Sequence, residues 1–210
     1  MSRDYRPFLD DIRRSCEKVL RCTAGSTFEQ LMADWISPLA REDYREYRDD
    51  FLSVLGLAQY YRALRDFWPL WGPQWDGLAL LSGKADTGVL LIEAKAHPAE
   101  TASAGRAANQ DSATKIEAAF AQAQRHMGVA PCDWMRVSYQ LANRLAFLYV
   151  MNEIAKVPTF LALVNFVDDR SHKPTSLAEW RAHYQVLFPA LGIHPGCRML
   201  DRIFTVFLPA

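Results

Sequence analysis

The chain has 210 residues, of which 50% are hydrophobic and 23% are charged. A chain of this length and composition can bury one well-packed core without disulfides or metal ions, which excludes an intrinsically disordered protein. The 24 basic and 24 acidic residues give a net charge of zero, which excludes a polybasic, histone-like binder but leaves a local basic groove open. We therefore expect a single domain over residues 1–210.

The first region, residues 1–66, is predicted to be helical. A capping box at Ser26 to Glu29 precedes a helix expected from Phe28 to Ile36. A long amphipathic stretch from Glu42 to Asp66 follows, because apolar residues recur there near the helical spacing. Gly56 is the position at which this stretch could divide into two helices. We interpret the region as a helical N-terminal embellishment of the domain.

The character of the sequence changes at Phe67 to Trp75, where three tryptophans and two prolines predict an irregular loop. Two strands are expected next, Trp75 to Leu81 and Val89 to Ala96. The turn residues of Ser82 to Gly88 connect them, which predicts a β-hairpin. Pro98 to Asp111 is rich in small and polar residues and is predicted to be a loop.

The rest of the chain alternates helices and strands. The expected elements are a helix at Ser112–Met127, a buried helix at Arg136–Ala155, a buried strand at Pro158–Val167, a helix opened by a second capping box at Ser176–Glu179 and running to about Phe188, and a closing strand at Ile203–Leu208. Strands with helices before, between and after them predict an α/β sandwich with a mixed sheet. We assign residues 67–210 to the core of the domain.

Several classes of protein and site are not expected. No run of 18 apolar residues is present, and Met1 to Asp10 is charged and lacks the apolar segment of a signal peptide, so we expect a cytoplasmic protein without membrane contact. The four cysteines and five histidines do not occur at metal-ligand spacing. We therefore expect reduced thiols and no zinc site.

Ionisable residues interrupt both strands of the predicted hairpin. In the second strand, V-L-L-I-E-A-K-A-H, alternation places Glu93, Lys95 and His97 on one face and only apolar residues on the other. Asp76 precedes the apolar run of the first strand. Burying such charges is unfavourable unless they are paired or bind a cation. Two carboxylates about 4 Å apart would repel by about 4 kcal/mol at an effective dielectric constant near 20.

A divalent cation would offset this repulsion, and Mg²⁺ is bound through one or two carboxylates and waters. The ammonium of Lys95 would then lie near a metal-bound water and a substrate oxyanion. This arrangement suits the hydrolysis of a phosphodiester. The alternative is a structural cluster in which Asp76 and Glu93 merely pair with Lys95 at the edge of a sheet.

The pattern of Asp76, a turn, and Glu93-Ala94-Lys95 resembles the PD-(D/E)XK nuclease superfamily, over about Phe67 to Met127. The resemblance implies a restriction-endonuclease-like mixed sheet flanked by helices, with Mg²⁺ or Mn²⁺ as cofactor. It implies that Asp76, Glu93 and the backbone carbonyl of Ala94 bind the metal and that Lys95 orients the attacking water. Trp75 stands where many members have proline. The G-P-Q-W-D segment also resembles a bacterial family that brings no established substrate.

A later helix offers a second wall for this site. Tyr139, Gln140, Asn143 and Arg144 form one polar arc on an otherwise apolar helix. Some members of the superfamily place a glutamine and a tyrosine on such a helix, and we select Gln140 as the candidate catalytic residue. The alternative is that the arc is only the exposed start of a partly buried helix.

Two interpretations also remain for the aromatic residues Phe67, Trp68, Trp71 and Trp75. They could stack on nucleobases, although large aromatic side chains more often pack in cores. The function expected from the resemblance is a Mg²⁺-dependent nuclease, with DNA as the expected substrate. The alternative is a non-cleaving nucleic-acid-binding or protein-interaction module on the same fold. Zero net charge disfavours tight nonspecific binding of DNA and leaves room for a partner subunit or a homodimer to supply affinity.

Overall fold

The computed structural model describes residues 12–18, 32–82, 87–102, 109–171 and 173–210. They form one five-stranded mixed sheet with helices on both faces, which is an α/β architecture. The strands are β1 (Met32–Ser37), β2 (Gly77–Ser82), β3 (Thr87–Lys95), β4 (Thr159–Val167) and β5 (Ile203–Pro209), and they lie side by side in that order. β1, β2 and β3 are antiparallel to their neighbours, whereas β4 is parallel to β3 and β5 is parallel to β4.

The helices are unevenly distributed over the two faces of the sheet. They are α1 (residues 12–18), α2 (Phe51–Val54), α3 (Tyr61–Phe67), α4 (Gln110–Met127), α5 (Trp134–Val137), α6 (Tyr139–Tyr149) and α7 (Leu177–Ala190), with a single π-helical turn (Val150–Ile154) after α6. Residues of α2 to α7 share one hydrophobic core with the first face, and residues of α1 share a smaller core with the second. No helix in these described ranges is long and apolar enough to cross a membrane.

Alternation along β3 decides which residues meet which helices. Val89 and Leu91 belong to the larger core, whereas Leu90, Ile92 and Ala94 belong to the smaller one. Glu93 and Lys95 follow Val89 and Leu91 on the same side, because side chains two residues apart in a strand share a face. The predicted division of this strand into an apolar face and a charged face is therefore confirmed, and the charged face turns towards α6.

The predicted hairpin, the buried strand at β4 and the closing strand at β5 are confirmed, as are α4, α6 and α7. Ser82 pairs with Thr87 at the hairpin end, while residues 83–86 of the predicted turn lie outside the described residues. The capping box at Ser176 is present with both of its hydrogen bonds, whereas the one predicted at Ser26 lies outside the described residues.

The predicted helix from Phe28 to Ile36 is wrong over its described part, because residues 32–37 form the strand β1. The sequence M-A-D-W-I-S also fits an alternating pattern, and Ala33 and Trp35 pack against the smaller core. Hydrogen bonding to β2 satisfies backbone groups along one side of β1, and β1 takes the place of β2 as the edge strand of the sheet. The N-terminal region thus contributes a strand to the sheet and is not wholly helical.

The predicted amphipathic stretch from Glu42 to Asp66 is divided at Gly56, the position at which the sequence allowed two helices, with α2 before it and a 3₁₀ turn and α3 after it, but residues 43–50 are not helical. Gly56 adopts a left-handed conformation with φ of 70°, which ends the first helical segment. Tyr47 and Phe51 are buried as expected, but Tyr47 lies in an isolated bridge with Trp75. The apolar spacing thus predicted correctly that these side chains are buried. It did not predict that Tyr47 would be buried by pairing with Trp75 instead of by a helix.

Candidate active site at the end of the β2–β3 hairpin

Asp76 and Glu93 are brought together by the register of the hairpin. Gly77 pairs with Ile92, so continuing the antiparallel register by one residue places Asp76 opposite Glu93. The backbone N–H of Asp76 donates to the carbonyl of Ile92 at 3.2 Å. The carboxylate Oδ2 of Asp76 accepts a hydrogen bond from the backbone N–H of Ala94 at 2.7 Å. The side chain of Asp76 is therefore held against β3, next to Glu93.

Glu93 is buried, with a 5% exposed side chain, and two cations contact its carboxylate. The ammonium of Lys95 donates to Oε1. The guanidinium of Arg144 donates to Oε2 through Nε at 2.7 Å, and its Nη2 lies 2.5 Å from the same oxygen. Each oxygen of Glu93 thus has its own positive partner, which is the condition under which a buried carboxylate is tolerated.

Arg144 reaches this site from α6, and all three of its nitrogens donate hydrogen bonds. Besides Glu93, it contacts the side-chain oxygen of Asn143 at 2.7 Å and the backbone carbonyl of Gln74 at 2.8 Å. Its guanidinium also lies over the ring of Trp75, 5.2 Å from the centroid. Arg144 therefore links α6, β3 and the loop before β2, and it fixes the position of Glu93.

The sequence pattern favours Gln140 as the functional residue of the polar arc and does not predict that Arg144 pairs with Glu93. The signal was present in the sequence, because Arg144 stands in a run of apolar helix residues, L-A-N-R-L-A-F-L. An arginine buried in such a run needs an acidic partner, and Glu93 was the acid already placed in a buried strand. Asn143 and Arg144 are buried, so they are not the exposed start of a helix.

Asp76 lines an open cavity of about 570 Å³. The cavity walls are Glu46, Arg48, Trp71, Gly72, Pro73, Gln74, Tyr139, Gln140, Asn143 and Arg144. Glu93 and Lys95 instead line a narrow cavity of about 20 Å³. Gln140 lines both the narrow and the open cavity. Gln140 therefore lies between the open cavity and the ion pair of Glu93 and Lys95.

The electrostatics of the site are concentrated on Asp76. Burial raises the pKa of Asp76, and the nearby Glu93 carboxylate raises it further. Lys95 and the N–H of Ala94 act in the opposite direction, and the resulting pKa is about 7 instead of the usual 3.8. Two carboxylates and two cations, Lys95 and Arg144, make the cluster neutral when Asp76 is ionised.

This pKa predicts that Asp76→Asn stabilises the metal-free protein at alkaline pH. A raised folded-state pKa means that the folded protein binds the proton more tightly, so the wild type loses stability as pH rises from about 4 to about 7. Asp76→Asn should therefore raise the free energy of unfolding by less than about 1 kcal/mol at pH about 4 and by about 2–4 kcal/mol at pH about 8. Urea unfolding in EDTA at the two pH values measures it. Asp66→Asn, at a side chain that is 77% exposed, is the control. An equal gain of Asp76→Asn at both pH values would contradict this assignment.

The groups that could hold a magnesium ion here are all oxygen donors. The carboxylates of Asp76 and Glu93 and the backbone carbonyl of Ala94 would supply hard oxygen ligands, and Mg²⁺ completes such sets with water. Within the part of the chain that the structure describes, no group of three or more His, Cys, Asp or Glu side chains is placed to hold a metal ion. A magnesium ion here would therefore depend on the carbonyl and on waters besides the two acids.

The aromatic run divides into two environments. Phe67, Trp68 and Trp75 are buried in the larger core, as the packing interpretation expects. Trp71 is 74% exposed and lies at the open cavity. Core packing thus accounts for three of the four residues, and Trp71 is the exception.

No protein-family model matches the chain, and neither a curated protein nor a solved structure matches it. The residues of the site themselves therefore carry the assignment of a function.

Proposed function

We propose that this protein is a Mg²⁺-dependent phosphodiesterase that hydrolyses nucleic acid, with DNA as the first substrate to test. The observation that carries the proposal is the placement of Asp76 opposite Glu93, with Lys95 two residues further on the same face of β3. Asp76 also lines a cavity large enough for a small ligand. A structural ion-pair cluster would not need a carboxylate at the wall of such a cavity.

The arrangement of the strands supports a restriction-endonuclease-like fold as part of the proposal. Three antiparallel strands, β1 to β3, are followed by the helices α4 to α6 and then by β4, which is parallel to β3. A mixed sheet flanked by helices agrees with the resemblance to the PD-(D/E)XK superfamily at the level of fold class. Asp76 directly precedes β2 and Glu93 lies on the neighbouring strand β3, which is the placement that the resemblance implies for the metal ligands.

Each residue of the site has a distinct role in the proposed reaction. Asp76, Glu93 and the carbonyl of Ala94 would hold the metal, which when bound would polarise the phosphate and lower the pKa of a water. Lys95 would stabilise the negative charge that develops on the phosphoryl oxygens. Arg144 holds Glu93 in position through Oε2. Gln140, between the cavity and Lys95, would contact the substrate and orient it.

The second candidate function is a non-cleaving nucleic-acid-binding or protein-interaction module on the same fold. One observation favours it: both oxygens of Glu93 already have cationic partners, Lys95 and Arg144. The charge of Glu93 is thus balanced by the protein's own side chains. Binding of a metal to Glu93 would have to use the remaining lone pairs of these oxygens.

The test combines metal binding with cleavage. At a hundredfold excess over its Kd, Mg²⁺ should raise the Tm of the wild type by about 5–10 °C, because the ion binds only the folded protein. Asp76→Asn should lose most of this shift, whereas Asp66→Asn should keep it. Mn²⁺ calorimetry and cleavage of labelled single- and double-stranded DNA and RNA complete the test. An equal metal response in wild type and Asp76→Asn would rule out Asp76 as a ligand. Metal binding without cleavage of any substrate, across a range of protein concentrations that allows for a homodimer, would favour the second candidate.

A further inference from the structure

Trp71, which lines the open cavity, has two features that are energetically unfavourable for a tryptophan: an exposed side chain and a left-handed backbone. Its side chain is 74% exposed, whereas the neighbouring Trp68 and Trp75 are 1% and 0% exposed. Its backbone has a φ of 67°, the left-handed region that residues with a large side chain rarely adopt. Strained residues persist only where the surrounding structure holds them, and they cluster at functional sites.

The backbone at Trp71 is held by the carboxylate of Asp49. The N–H of Trp71 donates to Oδ2 at 2.9 Å, and the N–H of Gly72 donates to Oδ1 at 3.1 Å. Arg65 donates to Oδ1 at 2.8 Å and to the carbonyl of Pro69 at 2.9 Å. Burial alone would raise the pKa of Asp49, but these hydrogen bonds and the charge of Arg65 outweigh it and hold the pKa below its usual value. These hydrogen bonds thus hold the backbone at Trp71 in one conformation.

Gly72 shows that this loop is also fitted closely to the core. A Cβ at this position would lie 3.0 Å from Cζ of Phe147, which is buried beneath it. The exposed indole is therefore attached to a closely packed backbone instead of a loosely held turn. A fixed point of attachment suits a stacking surface, because it reduces the entropy lost on binding.

The polar surroundings of Trp71 are suited to a nucleotide. The guanidinium of Arg48 lies 5.8 Å from the indole centroid and donates to Oε1 of Gln74 at 2.7 Å. Gln74, Gln140 and Asn143 line the same cavity, and an amide side chain can bond to the edge of a base once it exchanges its present partners, which for Gln74 are Arg48 and Glu46. Asp76 lines the cavity as well, so one of the proposed metal ligands borders the same space.

We propose that Trp71, supported by Arg48, is a stacking platform for an unpaired nucleobase, so that the substrate is single-stranded nucleic acid. The inference rests on the proposed function, and it names the substrate class of the same site. Every base has a face that can stack on an aromatic ring, so this contact tolerates any sequence. Bases within a duplex are already stacked on one another and must be extruded before they can reach such a platform. The chain has no net charge, so no overall positive charge of the protein adds to the affinity for phosphates, and stacking is an independent source of binding.

The test measures binding in EDTA, where cleavage does not contribute. A short fluorescein-labelled oligothymidylate is titrated with the full chain, and anisotropy gives the Kd. Trp71→Ala should weaken binding by about 5- to 150-fold, and Trp71→Phe should recover part of the loss because it restores an aromatic face. Leu70→Ala is the matched control, since Leu70 is 61% exposed beside Trp71 and should leave the Kd unchanged. Unaltered Tm values of the three variants confirm that each is folded.

Two further ligands separate stacking from attraction to phosphates. An abasic oligomer of the same length should bind the wild type and Trp71→Ala equally and weakly, and a blunt duplex should bind more weakly than the single strand. Equal affinities of wild type and Trp71→Ala for oligothymidylate would overturn the inference, as would stronger binding of the duplex or no binding of oligothymidylate by the wild type. If Trp71→Ala loses binding but the wild type cleaves nothing with Mg²⁺, the platform stands and the nuclease proposal fails.

Discussion

Arg144→Met should destabilise the protein by about 3–5 kcal/mol, because it leaves the buried carboxylate of Glu93 without the partner on Oε2. The carbonyl of Gln74 and the side chain of Asn143 lose their hydrogen bonds to the guanidinium at the same time. Methionine keeps much of the apolar volume, so the loss reports on charge and hydrogen bonding more than on packing. Urea unfolding at neutral pH measures the change in the free energy of unfolding.

A double variant separates the ion pair from the rest of the contacts. Glu93→Gln removes the charge that Arg144→Met leaves without its partner on Oε2, so the combined variant should recover about 1–3 kcal/mol relative to the sum of the single variants. Arg62→Met, at a side chain that is 94% exposed, is the matched control and should change stability by less than about 0.5 kcal/mol. Additive effects of Glu93→Gln and Arg144→Met would show that the two side chains do not interact energetically.

Lys95→Ala should abolish most cleavage while leaving metal affinity within a few-fold of the wild type. The ammonium cannot bind a metal ion, and its removal takes a positive charge away from Glu93, which would strengthen that carboxylate as a ligand. The loss of one charged group that stabilises the transition state typically lowers the rate by about 10²–10³-fold, which is about 3–4 kcal/mol. Mn²⁺ calorimetry and cleavage of labelled oligonucleotides, performed on the same preparations, give the two quantities.

Glu93→Ala is the contrasting variant and should lose both metal binding and cleavage, because it removes a ligand. It also leaves Arg144 and Lys95 without their shared acid, so its Tm is measured first, and Glu93→Gln serves as the milder variant. Lys156→Ala controls for the loss of a lysine, because Lys156 pairs with Glu153 at 3.1 Å on an exposed surface. If Lys95→Ala and Glu93→Gln behave alike in metal binding, the proposed division of roles is wrong.

The candidate site was predictable from the sequence to the extent that it depends on local pattern. The alternation of V-L-L-I-E-A-K predicts that Glu93 and Lys95 share a face, because successive side chains of any strand point to opposite sides. Asp76 was placed nearby because a short turn joins the two strands and limits their register. The structure brings these three residues together, and it adds that Gln140 separates the open cavity from Glu93 and Lys95.

Other features depended on contacts between distant residues. The salt bridge between Arg144 and Glu93 joins positions 51 residues apart, and no local period indicates such a pairing. Of the three tryptophans in one short aromatic segment, Trp71 alone is exposed, and the carboxylate of Asp49, 22 residues earlier, accepts a hydrogen bond from its backbone N–H. Composition indicates that aromatic residues favour burial, but it cannot say which of them the loop leaves at the surface.

The sequence by itself determined the β2–β3 hairpin, the alternating burial of β3, the presence of the strands β4 and β5 and the capped helix α7. These follow from periodicity and capping chemistry within about ten residues, which act in any fold. Only the tertiary structure decided that residues 32–37 pair with β2 as a strand, that β4 and β5 are parallel, that residues 43–50 are not helical, and that Arg144 holds Glu93. An apolar pattern indicates that a side chain is buried, but it does not determine whether a helix or a strand buries that side chain. Packing and hydrogen bonds with the rest of the fold select the backbone conformation, because they outweigh local propensities of less than about 1 kcal/mol per residue.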